Sequence, residues 1–163
     1  PFAQRNQIYR WTGERFSDFT DSAGPALAHE EVSRGLAAGD LDIDGDVDLV
    51  ISNNNGPARL LLNRAGDGKA GIRIHTPIPH ARVAVIEANG RRRWSRIHSD
   101  GSYLSASELA ASIAVDSSLP RSVGVVWPNG SSELFSDIAP GKSFELAPGG
   151  GRPWVSANGS AKE

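Results

Sequence analysis

The amino-acid sequence predicts an all-β fold, and three features support this prediction. Glycine (18) and proline (10) together exceed one residue in six of the 163. That density is typical of a fold with many short strands and turns. The apolar residues occur in short segments that end at turn sequences such as Asn-Gly, and several of these segments alternate between apolar and polar residues, as strands do.

The composition excludes several classes of protein. No apolar run approaches the roughly 20 residues of a membrane helix, so no membrane span is predicted. The absence of cysteine excludes disulfides, thiol catalysis and cysteine zinc sites. The formal charge of -2 gives no reason to expect nucleic acid or an acidic membrane as a partner. Because the sequence begins at Pro1, we expect a processed product or a segment of a longer protein. We also expect a secreted or cell-surface location, with which the absence of cysteine does not conflict.

The first predicted domain covers residues 1–70. Its expected strands, in chain order, are residues 6–11, 15–20, 35–39, 49–52 and 59–63, with turns at 12–14, 53–57 and 66–68. Residues 21–34 contain a Gly-Pro pair and are predicted as a loop, in which one helical turn stays an open alternative. The small residues of 35–39 indicate a strand that lies very close to its neighbours. A faint repeat of strand and turn favours a propeller-type blade.

The second predicted domain covers residues 71–148 and is a series of short hairpins. Residues 82–87 and 91–97 flank Asn89-Gly90, a preferred two-residue turn. The other expected strands are residues 122–127, 132–135 and 143–146. Helix and strand both remain open for residues 105–115. This pattern predicts a small β-sandwich or barrel-like domain, followed by a flexible tail over residues 149–163.

An acidic loop between two predicted strands carries the clearest chemistry. Asp40, Asp42, Asp44 and Asp48 occupy loop positions one, three, five and nine, and the carbonyl of Asp46 is at position seven. Calcium takes six to eight oxygen ligands in proteins, and these residues supply oxygens alone. Carboxylates held so close together repel one another unless a cation neutralises them. We therefore predict a Ca²⁺ site formed by all five aspartates.

Two other interpretations compete with a calcium site in this loop. An EF-hand has the same early spacing and the same glycine, which is Gly45 here, but it ends in a bidentate glutamate where this chain has Ile51. The flanks are also predicted strands and not helices. A solvated acidic turn without a metal is the simpler alternative.

The chain resembles two known families. Residues 39–49 resemble the calcium repeat of FG-GAP/VCBS propellers, and residues 6–21 resemble the hairpin before such a repeat. The second half resembles the ASPIC/UnbV domain, which follows these repeats in the cartilage acidic protein-like family and in many bacterial exported proteins. The matching segments of the second half are residues 81–83, 101–105, 126–130 and 138–141. The resemblance implies a calcium-carrying blade followed by a small β-domain, and it carries over no catalytic residues.

The sequence departs from the family pattern at two places. His80 stands where the family usually has glycine, and residues 113–116 replace a Phe-Gly-Leu-Gly segment. Both positions bear on the backbone, because glycine often marks a left-handed conformation.

The remaining candidates are less specific. Asn129 and Asn158 lie in Asn-Gly-Ser sequences, which accept N-glycans where the producing cell has the machinery. The four histidines share no spacing that makes a metal face, and no Gly-x-Ser-x-Gly elbow occurs. Residues 91–93 and Arg96 form either a solvated hairpin face or a basic ridge for acidic glycan or phosphate. The candidates for stacking on sugars are Trp94, Trp127 and Trp154, although Trp127 is expected in the core.

The sequence thus predicts a non-enzymatic, calcium-stabilised structural module. A single blade leaves strand edges unpaired, so we expect completion by a longer chain, by the second domain or by a neighbouring copy. Completion in trans would make a homo-oligomer or filament that serves self-assembly or adhesion. The alternative is a carbohydrate- or protein-binding module of a larger secreted protein. An enzyme is least favoured, because no acid–base or nucleophile–base group is visible.

Overall fold

The computed structural model describes residues 2–42, 44, 46–64, 70–115 and 121–155. In the first half the strands are β1 (Gln4–Arg5), β2 (Tyr9–Trp11), β3 (Phe16–Asp18), β4 (Glu30–Glu31), β5 (Ser33–Gly39), β6 (Asp48–Asn53) and β7 (Arg59–Leu61). In the second half they are β8 (Ala70–His75), β9 (Arg82–Ile86), β10 (Arg92–Arg96), β11 (Ala110–Val115), β12 (Arg121–Val126), β13 (Ser132–Ile138), β14 (Lys142–Glu145) and β15 (Arg152–Pro153). Two 3-10 turns, Thr20–Ser22 and Pro25–Ala28, are the helical segments within these ranges, so the all-β prediction is confirmed.

The first half contains small antiparallel sheets. Strands β5, β6 and β7 form a three-stranded meander, β2 pairs with β3 in the expected hairpin, and β1 pairs with β4. A propeller blade has four strands, whereas this meander has three in the described part of the chain. The two 3-10 turns lie in or beside the loop predicted at residues 21–34.

The second half is a two-layered β-sandwich. One sheet has the strand order β10-β9-β12-β13-β15 and the other β11-β8-β14, and none of the described sheets closes into a barrel. Alternate residues of β8, β9, β11 and β12 point between the two sheets. The core cluster contains Ile72, Ile74, Ala81, Val83, Val85, Ile97, Ala111, Ile113, Val115, Val123, Val125, Trp127, Ile138 and Leu146. Trp127 is therefore a core residue, as predicted.

Strand β11 settles the open choice between helix and strand. Its residues alternate between half-buried and buried positions, and it pairs antiparallel with β8. The buried side chains of Ile113 and Val115 enter the core where the family pattern has phenylalanine and leucine, and Ala114 takes the place of the first glycine. Burial of branched side chains therefore decides in favour of a strand here.

The beginning of the predicted tail is packed on the five-stranded sheet. Strand β15 pairs with β13, and the Glu133 carboxylate accepts backbone N–H groups from Gly149 at 2.9 Å and Gly151 at 2.9 Å. The indole N–H of Trp127 donates to the same carboxylate at 3.1 Å. Residues up to 154 therefore contact the second domain, whereas residues 156–163 lie outside the described part.

The two halves meet along the outer edge of β5. Residues 102–108 run beside this strand, and the Leu36 and Ala38 N–H groups donate to hydroxyls of Ser102 and Ser107. A Cβ on Gly35 would lie 2.4 Å from the Ser105 hydroxyl, so only glycine allows this approach. The small residues of β5 thus allow residues 102–108 to pack closely beside this strand, as the sequence indicates.

His80 keeps a left-handed backbone at the family's glycine position. Its φ is +66°, and its N–H donates to the Ile97 carbonyl at 2.7 Å. The exposed His80 ring lies 2.8 Å from Arg96 through Nδ1. The replacement of glycine has therefore left the turn geometry in place, at some cost in backbone strain.

Acid should weaken the fold partly through Glu133. The backbone N–H of Gly149 above all, with those of Gly151 and the Trp127 indole, lowers the pKa of Glu133 below its ordinary 4.5. A carboxyl with a lowered folded pKa stabilises the fold above about pH 4.5, and this contribution is lost as the pH falls through the folded value. We expect Glu133→Gln to be less stable than the parent at pH 7 and to lose this difference towards pH 3, as measured by urea unfolding across pH. Glu145→Gln, at an exposed strand position, is the matched control; an equal pH dependence in both variants would contradict this assignment.

Substitutions at His80 should follow backbone preference and not side-chain contacts. A β-branched residue is poorly tolerated at φ +66°, so His80→Val should lower the free energy of unfolding by about 1–2 kcal/mol. His80→Gly should cost less than about 0.5 kcal/mol, since relief of strain offsets the greater freedom of the unfolded chain. Denaturant titration of both variants tests the ranking. If His80→Gly lowers the free energy of unfolding more than His80→Val does, the stability depends on the histidine side chain and not on the backbone conformation.

Candidate metal centre

The acidic loop joins two paired strands whose ends face each other. Gly39, the last residue of β5, pairs with Asp48, the first residue of β6. The aspartates between them are therefore confined to one short connection at the end of the meander. This arrangement follows from the sequence, because small residues precede the loop and branched residues of β6 follow it.

Three aspartates converge in this loop. Asp40, Asp42 and Asp48 each offer a carboxylate oxygen, and these oxygens all lie within 4.8 Å of one another. Asp48 is fully buried, Asp40 is 4% exposed, and Asp42 is the open member of the group. Buried carboxylates this close together are unfavourable unless positive charge or hydrogen bonds compensate them.

Asp48 organises the loop through its hydrogen bonds. One carboxylate oxygen accepts the Leu41 N–H at 2.8 Å, and the other accepts the Asn63 N–H at 2.8 Å. Asn63 comes just after β7, so one side chain ties the start of the loop to the far strand of the meander. Each carboxylate oxygen has a second lone pair that remains suited to a cation.

Asp44 and Asp46 have other contacts. The Asp44 N–H donates to the Asp40 carboxylate at 3.1 Å, and the Asp44 carboxylate accepts the Asp46 N–H at 3.0 Å. Neither side chain belongs to the group of three converging carboxylates. Gly45 lies outside the described residues, so its role in the turn stays a prediction.

The electrostatics of the loop disfavour negative charge on Asp42. Although Asp42 is the open member, partial desolvation of its side chain first, and then the neighbouring Asp44 and Asp48 carboxylates, raise the pKa of Asp42 above its ordinary value. Arg64 acts in the opposite direction, with its guanidinium 3.5 Å from the Asp42 carboxylate. The pKa of Asp42 is raised despite this arginine.

A second arginine connects the loop to the second half. The guanidinium of Arg73, on β8, lies 3.7 Å from the Asp40 carboxylate and also forms an ion pair with Glu108. The other oxygen of Glu108 accepts the Asp40 N–H at 3.3 Å. Because Arg73 is shared between two carboxylates, it leaves no surplus positive charge for the loop.

The donor set fits a hard divalent cation. All three converging groups are carboxylates, and no nitrogen or sulfur ligand belongs to the cluster among the described residues. Oxygen-only sites are suited to calcium or magnesium, and calcium tolerates the irregular geometry of a loop better. The observed crowding of buried carboxylates and the raised pKa of Asp42 are what a cation at this position would relieve.

The other candidates from the sequence do not join this site. Asn129 is exposed in the β12–β13 turn, where its side-chain oxygen accepts hydrogen bonds from Ser131. Asn158 lies outside the described residues. His98 contacts Asp100, and His80 contacts Arg96, so these two histidines occupy separate places.

Sequence reasoning missed the charged groups that surround the loop. Glu108, Arg73 and Arg64 lie outside the acidic motif, and Glu108 is 68 residues from the Asp40 N–H that it accepts. Only the fold brings Glu108 and Arg73 to the loop. Arg64 alone has a local signal. It directly follows Asn63, whose N–H donates to the Asp48 carboxylate.

No helix of the described residues is long and apolar enough to cross a membrane.

Comparison with known proteins supports the second half of the expected organisation. Residues 76–153 match the family described as "ASPIC and UnbV". The match continues past residue 148 into β15, in agreement with the packing of that strand on the sheet.

The chain is also similar to a curated mouse protein. It is 29% identical to Cartilage acidic protein 1 of Mus musculus over 136 residues, which is 80% of this chain. The same stretch is 19% of the mouse protein, so the chain spans about a fifth of that relative's length. No solved structure matches this chain. These similarities support an ASPIC/UnbV-type second half, while the FG-GAP/VCBS likeness of the first half stays a prediction.

Proposed function

We propose that this chain is a non-enzymatic, calcium-stabilised structural module of a secreted or cell-surface protein. The observation that carries the proposal is the convergence of Asp40, Asp42 and Asp48, two of them buried. A bound Ca²⁺ would neutralise these carboxylates and fix the connection between β5 and β6. Calcium sites of extracellular modules work at about 10⁻⁴–10⁻³ M, which suits an open site with few buried ligands.

The effect of calcium would extend beyond the loop. Asp48 holds Asn63 at the end of β7, and Asp40 contacts Arg73 of the second half. An ion that orders these two carboxylates therefore also orders the meander and its contact with β8. Calcium acts here as a structural cross-link between elements far apart in the chain.

Self-assembly is supported by the exposed surface of the first half. Among the described residues before β8, Leu27 and Ile51 are the buried hydrophobic ones. Several large apolar side chains of this half are exposed, namely Tyr9, Trp11, Phe16, Leu36 and Leu60. Such a concentration of exposed apolar groups is typical of an interaction surface.

The edge of the meander indicates where a partner would bind. Residues 102–108 cover β5, whereas β7 has one hydrogen-bonded neighbour, β6, within the described part of the chain. Leu60 of β7 is 56% exposed. We propose that a second copy adds a strand at β7, as in other β-augmentation contacts.

The secreted location draws support from the similarity to the mouse protein named for cartilage.

A carbohydrate-binding role is the second candidate. It is favoured by the arginine and tryptophan side chains on the outer face of the five-stranded sheet. That face lies in the second half and does not require the loop or the β7 edge.

Removal of the Asp42 charge should have opposite effects with and without calcium. Because desolvation, and then the Asp44 and Asp48 carboxylates, raise the pKa of Asp42, Asp42→Asn should be at least as stable as the parent in chelator. In calcium at a hundred times its dissociation constant the parent should gain about 2.7 kcal/mol, or roughly 5–10 °C in Tm. The variant should lose most of this gain. Thermal unfolding with chelator and with calcium measures both effects.

Asp137→Asn is the matched control, because Asp137 is exposed and asparagine tolerates its φ of +62°. It should keep the full response to calcium. Asp44→Ala tests the fifth loop position, and it should lose stability chiefly in the presence of calcium. Calorimetric titration of the parent without heat of binding at millimolar calcium would refute the metal site itself.

A charge at the open strand edge should prevent assembly. We expect the parent to form dimers or larger species in calcium, and Leu60→Lys to remain monomeric, because a lysine on β7 blocks strand addition. Leu104→Lys, at an 88% exposed loop position, should assemble like the parent. Size-exclusion chromatography with light scattering distinguishes these outcomes. A parent that is monomeric in millimolar calcium would rule out self-assembly while leaving the metal site intact.

A further inference from the structure

The outer face of the five-stranded sheet carries a cluster of cationic and aromatic side chains. The members of this arginine–tryptophan face are Arg82, Arg92, Trp94, Arg96, Arg152 and Trp154. Arg92, Trp94 and Arg96 share one side of β10 because they are two residues apart. The opposite side of the sheet, with Val83 and Val85, forms the core.

Strand pairing places these side chains in adjacent rows. Arg96 pairs with Arg82, and Trp94 pairs with Ala84. The row of Trp94 continues through Gly124 and Leu134 to Arg152 on β15. Paired residues point to the same side of a sheet. With about 3.3 Å per residue along a strand and 4.8 Å between strands, the arginines span roughly 13 by 19 Å.

The indole rings of Trp94 and Trp154 form the base of this face. A Cβ on Gly124 would lie 2.2 Å from the Trp154 ring, so the ring rests directly on the glycine backbone. Trp94 and Trp154 contact each other with centroids 6.2 Å apart and planes at 30°. Ala84 beneath them is fully buried although it points away from the core. The two indole rings are therefore packed against each other and against the sheet.

Two guanidinium groups lie on these rings. Arg82 is over Trp94 at 5.6 Å from the centroid, and Arg92 is over Trp154 at 5.3 Å. Stacking on an aromatic face leaves the N–H groups at the edge of a guanidinium free to bind an anion. The arginines are thus held in place by the rings and need little further ordering to bind.

The cations of this face lack acidic partners. None of its four arginines forms an ion pair with a carboxylate in the described part of the chain. Arg96 instead contacts the His80 ring, and its charge helps to lower the pKa of Asp100, after larger effects from the backbone and His98. In contrast, Arg93 points to the other side of β10 and pairs with Glu87. Positive charge is therefore concentrated here in a chain whose formal net charge is -2.

We infer that the arginine–tryptophan face binds a linear polysaccharide bearing sulfate groups. Arginine matches the geometry of a sulfate with two parallel N–H donors, and several arginines on a flat sheet suit repeated anions along a chain. Single-stranded nucleic acid is less suited, because its bases need open aromatic faces. Here Gly124 and Arg92 both lie against the Trp154 ring. The inference rests on the carbohydrate-binding candidate of the proposed function, for which it names the substrate class, and it requires neither calcium nor assembly.

The test uses a heparin oligosaccharide as the probe, with the same oligosaccharide after desulfation and an oligothymidine as comparisons. In calorimetry, with chelator present, Arg92→Gln with Arg96→Gln should weaken heparin binding by about tenfold and lower the salt slope by about two. The control double variant, Arg15→Gln with Arg34→Gln, removes two exposed arginines of the first half and should bind like the parent. Thermal unfolding of both double variants checks that each is folded.

Arg152→Gln provides an independent variant on another strand, and it should weaken heparin binding without a change at β10. The inference is supported if sulfated oligosaccharide binds and both the desulfated chain and oligothymidine bind more weakly. It is overturned if the parent does not bind heparin, or if the double variant binds as the parent does. Equal binding of the desulfated chain, or tighter binding of oligothymidine, also overturns it. None of these outcomes bears on the calcium proposal, because that proposal is tested by the change in thermal stability when calcium is added.

Discussion

The mutual repulsion of buried carboxylates in the acidic loop is the constraint on which the first half depends. Asp48 and Asp40 are almost inaccessible to water, and Asp42 lies within reach of both. The protein itself compensates part of this charge through backbone N–H groups and through Arg73 and Arg64. The raised pKa of Asp42 indicates that compensation is incomplete. A loop with this imbalance depends on its ionic surroundings more than an apolar turn would.

The two halves are stabilised in different ways. The second half has a continuous apolar core between two sheets, so its stability follows from hydrophobic burial. The first half has few buried apolar residues among those described, and its order depends on polar links. The hydroxyls of Ser102 and Ser107 bind β5, and Glu108 accepts the Asp40 N–H. The sandwich therefore acts as a scaffold against which the meander is held.

Local patterns in the sequence predicted much of the fold, and long-range contacts account for the rest. Asn89-Gly90 and the alternating residues around it specify a hairpin without information from elsewhere, and the structure contains it as β9 and β10. The parallel pairing of β14 with β8 joins segments some 70 residues apart, so no local pattern encodes it. The same holds for the site. The aspartate spacing predicted the loop, but the contact with Glu108 arises only when residues 102–108 pack on β5.

Residues 149–155 illustrate how a single carboxylate can organise a surface. A run of glycines predicted a tail, because glycine favours disorder when no partner is specified. Glu133 supplies that partner by accepting the N–H groups of Gly149 and Gly151. The chain then continues as β15 and places Trp154 on Gly124, where the ring supports Arg92. Gly151 allows a close approach, since a Cβ there would lie 3.0 Å from the Glu133 side chain, and Gly149 has a φ of +84°. Glu133 therefore contributes to the position of β15, together with the pairing of β15 with β13 and the contacts of Trp154 with Ser132.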